Sequence, residues 1–265
     1  MKKGVYKISE VEKKEVVRIS TGIPHLDGIY GEGLPRGRVS IWSGAPGVGK
    51  SRTTIDIAKR INMAGGMVLY FQNEVAPDEF AGWVADADID PNRFLCSNYD
   101  TIEEQIAAIK MYRPDFVVTD SLNMIQGFSS STQIRNIMNG FKEVIAEVDA
   151  HAVLIGHLNK EGVTKGNSDI PHLVDVVCHL KPHEDWKDDN GFTHQALHGV
   201  FFIVVDKNRY GDKDGWVAFR HTDVGIEEVF SIYGNPSEEV VAPTQESTLS
   251  KVFGGIFRWL ESKTG

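Results

Sequence analysis

At 265 residues with 41% hydrophobic content, the chain can bury a substantial core, and its length suits one large α/β domain with appendages. A net charge of −9 argues against a broadly basic surface, so nucleic-acid contact must be confined to local clusters of cations. Two cysteines, Cys96 and Cys178, exclude a four-cysteine zinc site, and no apolar run or leader suggests a membrane span or export, so a soluble, cytoplasmic protein with two buried thiols is expected.

Residues 1–17 are charged, with Val5, Tyr6 and Ile8 as their early apolar group, and read as an N-terminal extension. The core is expected over 18–235. Val39-Ser40-Ile41-Trp42-Ser43 reads as a buried strand, and Arg52 to Met63 carry apolar residues at helical spacing. Between them Gly44-Ala45-Pro46-Gly47-Val48-Gly49-Lys50-Ser51 fits the phosphate-binding P-loop pattern G-x-x-x-x-G-K-[ST] without mismatch. Gly44, Gly47 and Gly49 let the backbone turn tightly and point N–H groups inward, where they and the positive end of the next helix hold triphosphate oxygens. Lys50 is placed to reach the β- and γ-phosphates and Ser51 to ligate Mg²⁺, with Arg52 adjoining the site. ATP and Mg²⁺ are the expected cofactors.

Downstream the predicted elements alternate. A strand at Met67 to Phe71 ends on Gln72-Asn73-Glu74, a helix runs from about Pro77 to Ala87, and a strand covers Arg93 to Cys96. A helix from Ile102 to Met111 precedes the strand Phe116 to Thr119, which closes on Asp120. A long helix from Ile134 to Val148 leads to the strand Ala152 to Ile155, ending at Gly156-His157. Val174 to Leu180, Gly199 to Val205 and Trp216 to Phe219 read as antiparallel additions, the first two joined by a polar turn from His183 to Thr193. This order predicts a mostly parallel twisted sheet with helices on both faces. After Pro236 and Pro243, Leu249, Val252, Phe253, Ile256, Phe257 and Leu260 mark one face of a helix, so 236–265 reads as a linker and an amphipathic helix.

An open parallel sheet places its ligand at the carboxyl edge, and two acids fall there. Asp120, at a strand end, suits the Mg²⁺ shell. Glu74, also at a strand end, suits a base that takes a proton from the water attacking the γ-phosphate.

Ser20-Thr21-Gly22-Ile23 with Leu26-Asp27, then Gly31, Gly33-Leu34 and Gly37, then the P-loop, resemble the opening of the RecA-superfamily ATPase core. Gly156-His157-Leu158-Asn159-Lys160-Glu161-Gly162, His172-Leu173-Val174-Asp175 and Lys207-Asn208-Arg209-Tyr210-Gly211 are similar in order and spacing to the bacterial RadA/Sms recombination ATPases. That family carries the last motif as Lys-Asn-Arg-Phe-Gly. The resemblance covers about residues 18 to 230 and implies a RecA-like P-loop NTPase core. It further implies that Glu74 activates water, that Asp120 serves Mg²⁺ and that His157 senses the γ-phosphate. It implies a homo-oligomer, a hexameric ring or a filament, in which Lys207 and Arg209 complete the neighbour's ATP site. Single-stranded DNA is implied to contact the loops at 126–135 and 159–171, with Arg135, Lys160 and Lys165 as cations. A recombinase or single-strand-binding protein is an implied partner, and the N-terminal extension is an implied subunit linker.

The chain departs from RadA/Sms in showing neither the four-cysteine zinc motif nor the Lon-like domain, and Tyr210 stands where Phe is usual. It therefore resembles a core-only relative of the kind that phages and mobile elements carry. The expected function is a DNA-stimulated ATPase of recombination or replication, with translocation or branch migration left open. An ATP-switched annealing or mediator module and a KaiC-like signalling ATPase without DNA remain alternatives.

Overall fold

Short, nearly continuous apolar runs make the central strands and apolar residues at helical spacing make the helices that connect them. In the computed structural model, which describes residues 5, 7–10, 15–85, 88–125, 131–157, 170–183, 185–187, 193–194, 199–211, 215–223 and 225–232, this alternation builds one large sheet. The chain opens with β1 (Arg18–Ile19), α1 (Pro24–Tyr30) and β2 (Leu34–Pro35), then β3 (Arg38–Gly44), α2 (Lys50–Met63) and β4 (Val68–Gln72). There follow α3 (Pro77–Val84), β5 (Phe94–Ser97), α4 (Ile102–Tyr112), β6 (Phe116–Asp120), α5 (Ser131–Val148) and β7 (His151–His157). The chain continues through α6 (Ile170–Leu173), β8 (Val176–Pro182), β9 (Trp186–Lys187) and β10 (Thr193–His194) to β11 (Val200–Asn208), β12 (Trp216–Thr222) and β13 (Gly225–Ile232).

Local chemistry sets the helix ends. Pro77 opens α3 at its first turn, where its missing N–H costs nothing, and Asp78 and Glu79 favour the helix dipole there. Thr101 caps α4 reciprocally: its Oγ accepts from the Glu104 N–H at 3.3 Å and donates to the Glu104 carboxylate at 2.7 Å.

The nine-stranded sheet has the order β13-β12-β11-β8-β3-β7-β6-β4-β5. The six strands from β8 to β5 are parallel, and β11, β12 and β13 continue the sheet as an antiparallel meander. Side chains alternate between its faces. Trp42, Tyr70 and Val118 join the core beneath α1, α2 and α3, whereas Ile41, Phe71 and Val117 join the core beneath α4 and α5. Burying strands on both faces removes the polar alternation expected of a half-exposed strand, which is why β3, β4 and β6 read as continuous apolar runs.

Three expectations are corrected. β8 is not an antiparallel addition: Ser40 to Gly44 of β3 pair in parallel with Val176 to Leu180, because the chain enters β8 at the amino edge, where the Asp175 N–H donates to the Val39 carbonyl. The connection from β8 to β11 is longer than a polar turn and carries its own two-stranded β9–β10 ladder. Cys178 is buried but Cys96 is exposed, because β5 is an edge strand with one open flank. The edge strand β13 has no counterpart among the predicted elements. The amphipathic helix expected within 236–265 lies outside the described residues. Among the described residues, no helix is long and apolar enough to cross a membrane.

Candidate phosphate-binding site

The P-loop leaves the carboxyl end of β3 and enters α2. Gly44 is squeezed between strands: a Cβ there would stand 2.6 Å from the Leu180 carbonyl oxygen of β8. Gly49 is required twice over, because its φ of +92° is left-handed and a Cβ would overlap the His221 imidazole. The loop thus delivers Lys50 and Ser51 at the start of α2, where unpaired amides and the helix dipole favour an anion.

Lys50 is 5% exposed, and its ammonium donates to the Gly44 carbonyl at 3.0 Å and the Ala45 carbonyl at 2.9 Å. Burial lowers its pKa, while the carboxylates of Asp120 and Glu74 oppose the fall. Those two acids come together from neighbouring strands, since Gln72 of β4 pairs with Asp120 of β6 and Glu74 follows two residues later. Asp120 is buried and accepts from the hydroxyls of Ser51 and, at 3.0 Å, Tyr70. Burial raises its pKa and the Glu74 charge adds to the rise, against the two hydrogen bonds and Lys50. Ser121 Oγ donates to Glu74 Oε1 at 3.1 Å.

These groups line one cleft of about 590 Å³, within the ordinary range for small-molecule sites. Its walls include Pro46, Gly47, Lys50, Ser51, Glu74 and Asp120, the residues the sequence assigns to phosphate, metal and water. A serine hydroxyl beside one carboxylate is an all-oxygen donor set that fits Mg²⁺, which keeps several waters and takes the rest of its shell from phosphates. Among the described residues, no three His, Cys, Asp or Glu side chains gather as a self-sufficient metal cluster.

The other predicted site residues lie around the cleft or away from it. The backbone of His157, at the end of β7, pairs with Gly44 and so adjoins the P-loop. Arg52 lines the cleft, yet its guanidinium donates to the Thr222 carbonyl of β12. Arg135 is exposed near the start of α5. Lys160 and Lys165 lie outside the described residues.

Lys207 and Arg209 stand at the opposite edge of the sheet. β11 runs antiparallel to β8, so Lys207 pairs with Val177 and Asn208 with Val176, the first residue of β8. The P-loop leaves the other end of β3, whose seven residues span about 20 Å. The Lys207 ammonium donates to the carbonyls of Pro171 at 2.9 Å and Val174 at 2.8 Å, closing the end of α6. Arg209 Nη1 lies 3.3 Å from Asp175 Oδ1, with half of its side chain exposed.

A family model described as an AAA domain matches residues 7–163, more than half of the chain. The chain is also 28% identical over 231 residues to DNA repair protein RadA of Aquifex aeolicus (strain VF5), which covers 85% of this chain and 49% of that protein. To the protein of the same name in Brucella abortus (strain 2308) it is 27% identical over 257 residues, covering 92% of this chain and 52% of the relative. The chain belongs to the AAA domain family, as a RadA-like ATPase core of the RecA superfamily. It spans about half the length of the curated relatives it matches.

Three residues of this RadA-like core were not singled out by the sequence. Trp83 lines the cleft from α3 and is 46% exposed, off the buried stripe formed by Phe80 and Val84. Ser121 holds Glu74, and its only signal was its place beside Asp120. His221 abuts Gly49 from a strand 172 positions downstream, a contact that no local pattern announces.

Proposed function

We propose that this RadA-like core binds ATP with Mg²⁺ and hydrolyses it between neighbouring copies of itself while engaged on single-stranded DNA in repair or recombination. The observation that carries the shared site is the separation of its two halves. The cleft holding Lys50, Glu74 and Asp120 lies at the carboxyl edge, and Lys207 and Arg209 lie at the amino edge. Neither cation reaches its own cleft across the sheet, whereas a second copy stacked head to tail would present one to it. Arg209 is favoured, because the Lys207 ammonium is already enclosed by carbonyls whereas Arg209 is half exposed. A cation inserted across such an interface contributes ~10³ to 10⁵ in rate.

Within one copy the loop amides and Lys50 hold the β- and γ-phosphates, and Ser51 and Asp120 hold the metal. Bound Mg²⁺ supplies neutralisation of phosphate charge. Glu74, oriented by Ser121, accepts the proton of the attacking water.

The DNA part of the reading is supported by the relatives' name, DNA repair protein. ATP hydrolysis measured with and without single-stranded DNA across a salt series tests it. Stimulation that fades as salt rises is expected. An unchanged rate, with no DNA retained even at low salt, would count against a DNA role.

A further inference from the structure

The strand β12 runs in the same direction as β3, so its last residues reach the edge from which the P-loop emerges. There His221 stacks on Phe201 of β11 with centroids 4.3 Å apart and presses its ring against Gly49. The ring nitrogen Nε2 lies 3.2 Å from Thr53 Oγ1, and Thr53 Oγ1 in turn donates to the Gly49 carbonyl at 2.8 Å. A hydroxyl has one proton, and a carbonyl only accepts. The Gly49 carbonyl also accepts from the Thr53 N–H at 2.9 Å; with the Thr53 hydroxyl donating to the same carbonyl, Thr53 accepts from His221 in the tautomer that carries its proton on Nε2. The result is a directed relay, His221 Nε2–H to Thr53 Oγ–H to the Gly49 carbonyl.

The relay ends on the peptide that joins Gly49 to Lys50. Gly49 is a left-handed glycine, the residue type with the most freedom to turn, at the point where the loop aims its amides at phosphate. The ring carbon Cε1, between the two nitrogens, is the imidazole atom nearest the place that a Gly49 Cβ would take. Burial, with the Arg52 charge beside it, lowers the ring's pKa to about 4, which keeps the imidazole neutral near pH 7. The same hairpin is fastened along α2 at two further points: Arg52 donates to the Thr222 carbonyl, and Arg60 donates to the Ile226 carbonyl at 3.3 Å.

We propose that His221 is a positioning residue for the phosphate loop, fixing the Gly49 peptide through Thr53 so that the loop meets a nucleoside triphosphate already in its binding shape. The proposal rests on the reading of this loop as an ATP site. A pre-set loop spends less binding free energy on ordering, so the effect falls on affinity more than on turnover.

The test uses the full chain, with steady-state ATP hydrolysis and equilibrium binding of a non-hydrolysable ATP analogue, each variant being checked by thermal unfolding. His221→Ala is expected to weaken binding and raise KM about fivefold or more, with a smaller change in kcat. His221→Gln keeps a donor near the Nε2 position and recovers most of the affinity, whereas His221→Phe keeps the ring without the donor and does not. His221→Ala binding within twofold of wild type, or His221→Phe binding as tightly as His221→Gln, would overturn the relay. A wild-type chain that binds no nucleotide overturns the ATP reading, and the proposal with it.

Discussion

Ser121 Oγ donates a 3.1 Å hydrogen bond to Glu74 Oε1, joining the residue after one strand-end acid to the other acid across neighbouring parallel strands. The hydroxyl thereby orients the Glu74 carboxylate at the cleft. Glu74→Gln is expected to lower kcat by about 10² to 10⁴ while ATP affinity stays within a few-fold. Ser121→Ala keeps the base but loses its anchor, and a loss of about fivefold in kcat is expected. Steady-state kinetics beside ATP-analogue binding checks both, and equal losses for the two variants would contradict this division of roles.

Trp83 gives the cleft an optical reporter. It is 46% exposed and lines the cleft, whereas Trp42 and Trp216 are buried at 1% and 3%. ATP binding is expected to shift or quench tryptophan emission in wild type, and Trp83→Phe to abolish most of that change without abolishing binding. Retention of the full signal in Trp83→Phe would place the ligand elsewhere.

Acid should loosen the fold through His151. This imidazole is fully buried between the Pro35 carbonyl, 2.9 Å from Nδ1, and the Ser40 hydroxyl, 2.9 Å from Nε2. Nδ1 donates to the carbonyl and Nε2 accepts from the hydroxyl, which satisfies the neutral ring. Burial lowers its pKa to about 4, from 6.5. The unfolded chain therefore takes up a proton that the folded chain refuses, and stability that is full above pH 6.5 declines as pH falls towards 4. Between pH 7.5 and 5, wild type is expected to lose about 2 kcal/mol more than His151→Gln in urea unfolding. Equal losses would show that the ring accepts its proton in place.

Asp175 separates stability from activity. Its carboxylate is 4% exposed, accepts from the Val39 N–H at 3.2 Å and lies 3.1 Å from the Lys142 ammonium and 3.3 Å from Arg209. Asp175→Asn leaves Lys142 without its counter-charge and is expected to cost about 2 to 3 kcal/mol in denaturant unfolding. Arg209→Ala, on a half-exposed side chain, is expected to change stability by less than about 1 kcal/mol while sharply lowering ATP turnover. The reverse pattern would make Arg209 a strut rather than a reagent.

Much of this architecture was legible because the signals were local. Val39 to Ser43, the glycine spacing of the P-loop and the helical pattern after it place β3, the loop and α2 without knowledge of any distant residue. Asp120 and Glu74 were legible as acids closing apolar strands. The direction of β8 was not, because it depends on which edge of the sheet the chain returns to after β7, and Val176 to Leu180 look alike in either direction. β13 mixes Glu227 and Glu228 with Ile226 and Val229, as a one-sided edge strand does, and so lacks the apolar run that marked the central strands. Trp83 and His221 acquire their places only when α3 and β12 are packed beside the P-loop, and no sequence period encodes that meeting.

The central claim is that one ATP site takes its base from one copy and its cation from another. Mixing Glu74→Gln chains with Arg209→Ala chains tests this directly, with ATP hydrolysis followed across mixing ratios and co-assembly confirmed by size. Each variant alone is expected to be nearly inactive, and the mixture to regain activity well above the sum of its parents, peaking near equal proportions, because some interfaces pair an intact Glu74 with an intact Arg209. Co-assembled mixtures as inert as their parents at every ratio would contradict the shared site.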